Sequence, residues 1–128
     1  MTAVDTNILV RILTGDDARQ TKTARALFST ERVWISRTVL LETDWVLGRL
    51  YGFKQNQIRE AFTNLLGLPN VTVEEEEAVA SALAHTRHGI EFSDALHLSA
   101  RPSGARFVSF DKKLVSRARR AGIAGVAG

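Results

Sequence analysis

Four acidic residues stand where a parallel α/β fold could bring them together. Asp5 ends the apolar start of the chain, MTAV, and Asp111 ends the segment FVSF. Functional groups of an open parallel sheet gather beyond the carboxyl ends of its strands, so these two acids could face one site. Two more could join them from predicted helices, Glu42 in TVLLETDW and Asp94 in SDALHLSA. Carboxylates collected in this way would be suited to holding a metal ion.

Helix capping is the structural alternative for three of these acids. Asp5, together with Asn7, could simply cap the first helix. Ser93 or Asp94 could cap the helix SDALHLSA, and Asp111 lies where an N-cap of the next helix would stand. The residue types alone leave both interpretations open for these three positions.

Glu42 does not stand at a predicted helix end. The helix expected from an N-cap at Thr38 carries apolar residues nearly all the way round, so we expect water to be largely excluded from Glu42. A desolvated, unpaired carboxylate costs several kcal/mol, and a cation shared with other acids would remove that cost. Asp44 poses the same problem, but it lies roughly 200° further round the helix, so the two cannot face one site.

The side chains available to bind such a cation are nearly all oxygen donors. The chain has no cysteine and three histidines. His85 and His88 lie near a predicted helix end, where we expect a solvated role or one at the negative end of the helix dipole. His97 follows Asp94 by three residues and could support a site from outside. Carboxylate oxygens suit hard divalent ions such as Mg²⁺ and Mn²⁺.

Short apolar segments alternate with helical ones along the chain. We predict strands at 1–5, 32–36, 70–73, 105–110 and in the terminal GIAGVAG. We predict helices at 7–13, 17–29, 38–51, 54–67, from about 74 towards Gly89, 93–100 and 111–121. Thr72 and Glu75 are spaced as a capping box at the start of the fifth helix. This alternation predicts an α/β fold of three layers, a parallel sheet with helices on both faces, in a single domain of residues 1–128.

Composition narrows the class of protein further. The chain has 128 residues, of which 45% are hydrophobic and 24% charged, as expected for a globular domain with a real core. No apolar stretch approaches the roughly 18 residues of a membrane span, and no secretory signal is visible, so we expect a cytoplasmic protein without a membrane partner. The net charge is +3, and the chain from Arg101 onward has seven basic residues and one acid, Asp111. This imbalance favours a polyanionic partner such as nucleic acid.

Four segments, in this order and spacing, resemble a known family. AVDTNILVRILTGDD, VLLETDWVLGRLYGF, FSDALHLSA and VSFDKKL together resemble the PIN-domain nucleases, and most closely the VapC-type toxins of bacterial toxin–antitoxin modules. The resemblance implies that the catalytic, metal-binding acids are Asp5, Glu42, Asp94 and Asp111. It thereby selects Glu42 over Asp44.

The resemblance also implies roles for residues around these acids. Thr6 and Asn7 would orient the acids by hydrogen bonds, and Glu91 would be an outer residue of the site. Basic residues near the motifs are candidates for contact with the phosphates of RNA: Arg11, Lys112, Lys113 and Arg117. The implied sheet is five-stranded and parallel, in order 3-2-1-4-5, which would place the first strand beside the fourth and bring Asp5 and Asp111 together.

The activity implied by the resemblance is that of a Mg²⁺- or Mn²⁺-dependent endoribonuclease, the toxin of a type II toxin–antitoxin module. Its partners would be an RNA substrate, a cognate antitoxin protein and a second copy of the chain. The segment 54–67 and the aromatic residues before it would either belong to the core or be partly exposed in the monomer to form the homodimer: Tyr51, Phe53, Ile58, Phe62, Leu65 and Leu66.

Several alternatives share parts of this pattern. A house-keeping RNA-processing nuclease or a DNA nuclease of the same family would use the same acids. A phosphoacceptor signalling domain also has aspartates at strand ends, but it normally needs a pair of acids after the first strand, where this chain has Asp5, Thr6 and Asn7. A non-catalytic binding module of the family would be expected to have lost one of the four acids.

Overall fold

Seven α-helices and five short strands make up the chain, and the computed structural model describes all residues, 1–128. The strands are β1 (Thr2–Ala3), β2 (Val33–Ile35), β3 (Val71–Val73), β4 (Phe107–Val108) and β5 (Val126–Ala127). The helices are α1 (Thr6–Thr14), α2 (Ala18–Thr30), α3 (Arg37–Leu50), α4 (Gln55–Leu66), α5 (Glu76–His85), α6 (Phe92–Ala100) and α7 (Lys112–Arg120). Two compact units contain these elements, Met1–Glu76 and Glu77–Gly128.

The first unit is built on a three-stranded parallel sheet in the order β1-β2-β3. Thr2 pairs with Val33, and Val33 pairs in turn with Val71. The central strand is the most buried of the three, since Val33 and Ile35 have no exposed surface. Strands covered in this way are typical of parallel sheets packed against helices.

Helices complete the core of the first unit. The amphipathic helix α1 packs against α2 and α3, and its Leu9 is fully buried, as are Leu40 and Leu47 of α3. On α4, Ile58, Phe62 and Leu65 follow one another at helical spacing and form its buried face. The core interpretation is therefore confirmed for Ile58, Phe62 and Leu65, which are buried, whereas Tyr51, Phe53 and Leu66 are half-buried and so partly exposed.

The second unit contains a two-stranded parallel sheet, in which Phe107 pairs with Val126 and Val108 with Ala127. Helix α7 packs against β5 through a buried stripe that includes Leu114 and Ala118. The opposite surface of α7 carries most of its basic residues. This arrangement makes α7 strongly amphipathic.

The predicted single five-stranded sheet in order 3-2-1-4-5 is wrong, although the α/β class and the parallel direction of the strands are confirmed. The five strands form one sheet of three and one of two. Strand β1 has only two residues where we predicted 1–5, and β4 has two where we predicted 105–110. Strands of this length offer few ladder hydrogen bonds, and Val108 of β4 is 60% exposed. The predicted strand order places β1 beside β4 and therefore Asp5 beside Asp111. Strands β1 and β4 belong to different sheets and do not pair with each other.

Two predicted helix starts are also wrong. The N-cap of α3 is Ser36 rather than Thr38, because the Ser36 hydroxyl accepts from the backbone N–H of Val39 at 3.1 Å. Thr72 lies within β3, so it cannot form the predicted capping box. Glu75 instead adopts a left-handed conformation, with φ of 51°, in the turn before α5. No helix is both long and apolar enough to cross a bilayer.

The assignment of the α3 cap predicts different costs for two neighbouring substitutions. Ser36→Ala removes the acceptor of the Val39 N–H and should lower the free energy of unfolding by about 1 kcal/mol. Thr38→Ala removes only a hydroxyl that hydrogen-bonds to Ser36 at 3.0 Å, so its cost should be smaller. Urea denaturation followed by circular dichroism measures both, and a larger loss for Thr38→Ala would contradict the assignment.

Candidate functional site

Asp5 stands at the junction between β1 and α1. It is the N-cap of α1, with extended backbone angles, and its Oδ1 accepts from the Thr6 N–H at 2.7 Å. The side chain is exposed, Thr6 is buried, and Asn7 lies exposed in the first turn. Capping occupies one carboxylate oxygen, so the second oxygen is free to bind another group. The structural and the metal-binding interpretations of Asp5 are therefore compatible.

Glu42 lies on α3, and the expectation that water is excluded from it is wrong. The buried face of α3 consists of Leu40, Thr43 and Leu47, and Glu42 is exposed. Apolar residues do occur around the whole helix, but Trp45, three residues after Glu42 and on the same side, is 55% exposed, so an apolar composition did not mean burial. The selection of Glu42 as a site residue consequently depends on the family motif and not on desolvation.

Asp94 lies in the first turn of α6, where neither it nor Ser93 is the cap. Glu91 holds the N-cap position and its side chain makes no capping hydrogen bond. Asp94 is half-buried, and this burial raises the pKa of its carboxyl. The carboxylates of Glu91 and Asp111 raise the pKa further, while His97 acts in the opposite direction. Asp94 therefore lies in a field that disfavours its negative charge.

Asp111 begins α7 and confirms the capping interpretation. Its Oδ1 accepts from the Leu114 N–H at 3.1 Å, and its own N–H donates to the Ser109 Oγ at 3.0 Å. The side chain is exposed. As with Asp5, one oxygen is held by the backbone and the other is free.

The chemistry of these donors fits a hard divalent cation. The carboxylates of Glu91 and Asp111 each repel that of Asp94, and a bound cation would relieve that repulsion. All four motif acids offer carboxylate oxygens, which Mg²⁺ and Mn²⁺ prefer. Within either unit, no three acidic or histidine side chains are already arranged as a complete metal site.

The predicted phosphate-binding residues lie in different surroundings. Arg11 is engaged within the first unit, where its Nε donates to Gln20 at 2.7 Å and its Nη1 to Asp16 at 3.1 Å. Arg117 donates to the backbone oxygen of Gly89 at 2.9 Å. Lys112 and Lys113 are exposed in the first turn of α7 and are the least constrained of the four.

One residue beside the motif acids was missed by sequence reasoning. Phe110 directly precedes Asp111 and is 97% exposed. The sequence predicts a strand as far as residue 110. Because β4 ends at Val108, Phe110 lies in the loop that leads into α7.

The raised pKa of Asp94 predicts that this residue is kept at a cost in stability. The folded protein binds more protons than the unfolded one between about pH 3.8 and the raised pKa, so the free energy of unfolding falls as the pH rises through that range. Asp94→Asn removes the repelled charge and should raise the melting temperature at pH 7.5. Thermal unfolding in chelator-containing buffer tests this, with Asp17→Asn on α2 as the control. A melting temperature equal to or below that of the wild type would contradict the electrostatic account.

Comparison with known proteins identifies the family. The family model of the PIN domain matches residues 2–120. Searches of curated proteins and of solved structures gave no match. PIN domains are generally nucleases that depend on divalent metal ions such as Mg²⁺. Since the match covers nearly the whole chain and contains all four motif acids, this chain belongs to the PIN domain family.

Proposed function

We propose that this protein is a Mg²⁺- or Mn²⁺-dependent endoribonuclease and the toxin of a type II toxin–antitoxin module, with residues 1–128 acting as a single nuclease domain. The observation that carries the proposal is that Asp5, Glu42, Asp94 and Asp111 stand in the order of the family motifs, inside the residues matched by the PIN model. The structure supports it at Asp94, whose surroundings favour a cation.

In this proposal the four acids together hold the metal ion. Asp5 and Asp111 each present one oxygen while a backbone N–H holds the other, at Thr6 and Leu114 respectively. That hydrogen bond fixes the direction of the carboxylate before an ion arrives, which lowers the cost of ordering it on binding. Glu42, exposed on α3, would supply the fourth carboxylate.

Asp94 couples the binding of an ion to the release of a proton. Because its pKa is raised in the metal-free protein, Asp94 holds a proton to a higher pH than an ordinary aspartate. A carboxylate must be deprotonated to bind a metal, so ion binding should weaken as the pH falls. When bound, the ion would lower the pKa of a water molecule and neutralise charge on the phosphate.

The proposed reaction is hydrolysis of an RNA phosphodiester bond. In-line attack by water on phosphorus breaks the bond to the 3′-oxygen, leaving a 5′-phosphate on one product and a 3′-hydroxyl on the other. The 2′-hydroxyl of RNA takes no part in this step. The acids repel the RNA backbone, and the exposed Lys112 and Lys113 beside Asp111 would offset that repulsion.

The proposed partners are a cognate antitoxin and a second copy of the chain. Exposed apolar side chains on α3 support an interaction surface, since Trp45 is 55% exposed and Leu50 is 68% exposed. Exposed apolar residues of this size, where they lie together, often mark protein contacts. A stable monomer at high protein concentration would argue against the homodimer.

Replacement of the first motif acid should abolish cleavage without unfolding the protein. Asp5→Asn keeps the cap of α1, because asparagine caps helices about as well as aspartate, but it removes a charged metal ligand. We expect a loss of Mn²⁺-dependent RNA cleavage of at least about 100-fold. The measurement is the rate of cleavage of total cellular RNA with Mn²⁺ or Mg²⁺ and with a chelator.

The chain offers a closely matched control. Asp17 is the N-cap of α2 and accepts from the Gln20 N–H at 2.9 Å, so Asp17→Asn makes the same chemical change at another helix start. It should cleave at the wild-type rate. Equal rates for Asp5→Asn and Asp17→Asn would overturn the assignment of the acids, and cleavage of DNA but not RNA would overturn the proposed substrate.

A further inference from the structure

A groove of about 680 Å³ runs along one side of α7 in the second unit. Its lining includes Phe110, Lys112, Val115, Ser116, Arg119 and Arg120. The five residues on α7 have the spacing i, i+3, i+4, i+7 and i+8, which places them on one stripe of the helix. The groove therefore combines three cationic side chains with two apolar ones, and its volume lies in the range of small-ligand sites.

No acidic side chain forms an ion pair with the cations of the groove, which Ser109 and Gly128 also line. Arg119 donates from Nε to the backbone oxygen of Val126 at 3.3 Å, and Arg120 donates to the Ser116 Oγ at 3.1 Å. Both acceptors are uncharged, and no acidic residue is among those that line the groove. These hydrogen bonds orient the guanidinium groups and leave their charge available for an anionic ligand.

Phe110 is held at the groove by an ordered backbone. The N–H of Ser109 donates to the backbone oxygen of Ala127 at 3.0 Å, and the Ser109 Oγ accepts from the Asp111 N–H at 3.0 Å. The residues on both sides of Phe110 are thus fixed, yet the ring itself is 97% exposed. Single exposed apolar residues are common, but a fully exposed ring beside uncompensated cations is a combination found in proteins that bind unpaired bases.

We propose that this groove binds an unpaired nucleotide of single-stranded RNA, with its base stacked on Phe110 and its adjacent phosphates bound by Lys112, Arg119 and Arg120. The inference rests on the proposed ribonuclease function and names residues outside the four acids that would hold the substrate. Because Asp111 follows Phe110 in the chain, a stacked base would hold a neighbouring phosphate beside that acid.

An acidic protein would also be attracted by the charge, but the groove is less suited to it. Stable protein interfaces bury on the order of 1,200–2,000 Å² around an apolar centre. Phe110 and Val115 are the large apolar residues that line the groove, and Val115 is itself almost fully buried. A planar base needs only the one aromatic face that Phe110 provides.

The first experiment measures binding without cleavage. Fluorescence anisotropy of a labelled eight-nucleotide single-stranded RNA, in buffer with a chelator, gives the Kd of wild type and variants. Phe110→Leu keeps an apolar side chain but removes the aromatic face, and should weaken binding about 10-fold. Phe110→Tyr keeps the face and should bind within about twofold of the wild type. No binding by the wild type, or equal affinities for Phe110→Leu and Phe110→Tyr, would overturn the proposal.

A second RNA separates stacking from charge. An oligonucleotide of the same length with abasic residues keeps the phosphates and removes the bases, so Phe110→Leu should not weaken its binding further. An equal loss on the abasic strand would show that Phe110 does not stack on a base. A poly-glutamate peptide tests the protein alternative. If the peptide displaces the RNA, and if Phe110→Leu weakens the binding of the peptide as much as that of the RNA, the groove is instead a protein-binding surface.

The cationic part of the groove has its own test. Arg119→Ala should reduce the dependence of log K on log salt concentration by about 0.7, the value for one phosphate contact on a single strand. Arg25→Ala, an exposed residue of α2, removes the same charge outside the groove and should leave the slope unchanged. Identical slopes for the two variants would count against the phosphate contacts.

This binding assay and the cleavage assay can fail separately. If binding depends on Phe110 but no metal-dependent cleavage occurs, the proposed groove is supported and the proposed nuclease activity is rejected. If metal-dependent cleavage occurs but Phe110 has no effect on binding, the proposed nuclease activity is supported and the proposed groove is rejected.

Discussion

Repulsion between carboxylates is the constraint on which the functional interpretation depends. Asp94 lies half-buried near Glu91 and Asp111: burial raises the pKa of its carboxyl, and the two neighbouring carboxylates raise it further. His97 lowers the pKa of Asp94, but the pKa is raised overall, so the repulsion is not cancelled. Groups held at a cost to the fold are characteristic of functional sites, and a divalent cation is the simplest partner that turns the repulsion into binding.

Two of the four motif acids stand at the starts of helices. Asp5 and Asp111 are both N-caps, and in each case one oxygen accepts a backbone hydrogen bond while the other is free. Capping and metal binding were treated as competing interpretations of these residues in the sequence, but one carboxylate can do both. The cap fixes the side chain, and the fixed side chain is then available to a ligand without further ordering.

The sequence predicted the helices well because helix positions depend on local signals. Amphipathic spacing and capping residues determined most helix positions, and Asp111 was recognised as a cap from its place before Leu114. The strands were less predictable, because β1 and β4 have two residues each and leave almost no alternation to detect.

The exposure of Glu42 and the backbone conformation of Glu75 depend on tertiary packing, which local sequence patterns do not predict. Glu42 is exposed although apolar residues surround it in the chain, because α3 buries only the stripe of Leu40, Thr43 and Leu47. Glu75 takes a left-handed conformation in place of the predicted capping box, while the side chain of Glu74, which directly follows β3, accepts from the Arg37 N–H at 2.9 Å. Phe110 lies in the predicted fourth strand but outside the observed one, because β4 ends at Val108.

The most direct test of the account is the binding of Mn²⁺ itself, measured by isothermal titration calorimetry in the absence of RNA. If the four acids share one or two metal ions, then replacing any one of them should weaken Mn²⁺ binding by at least about 10-fold. The variants are Asp5→Asn, Glu42→Gln, Asp94→Asn and Asp111→Asn. The capping variant Asp17→Asn should bind as tightly as the wild type. Absence of Mn²⁺ binding by the wild type, or undiminished binding by the Asp5 and Asp94 variants, would contradict the account.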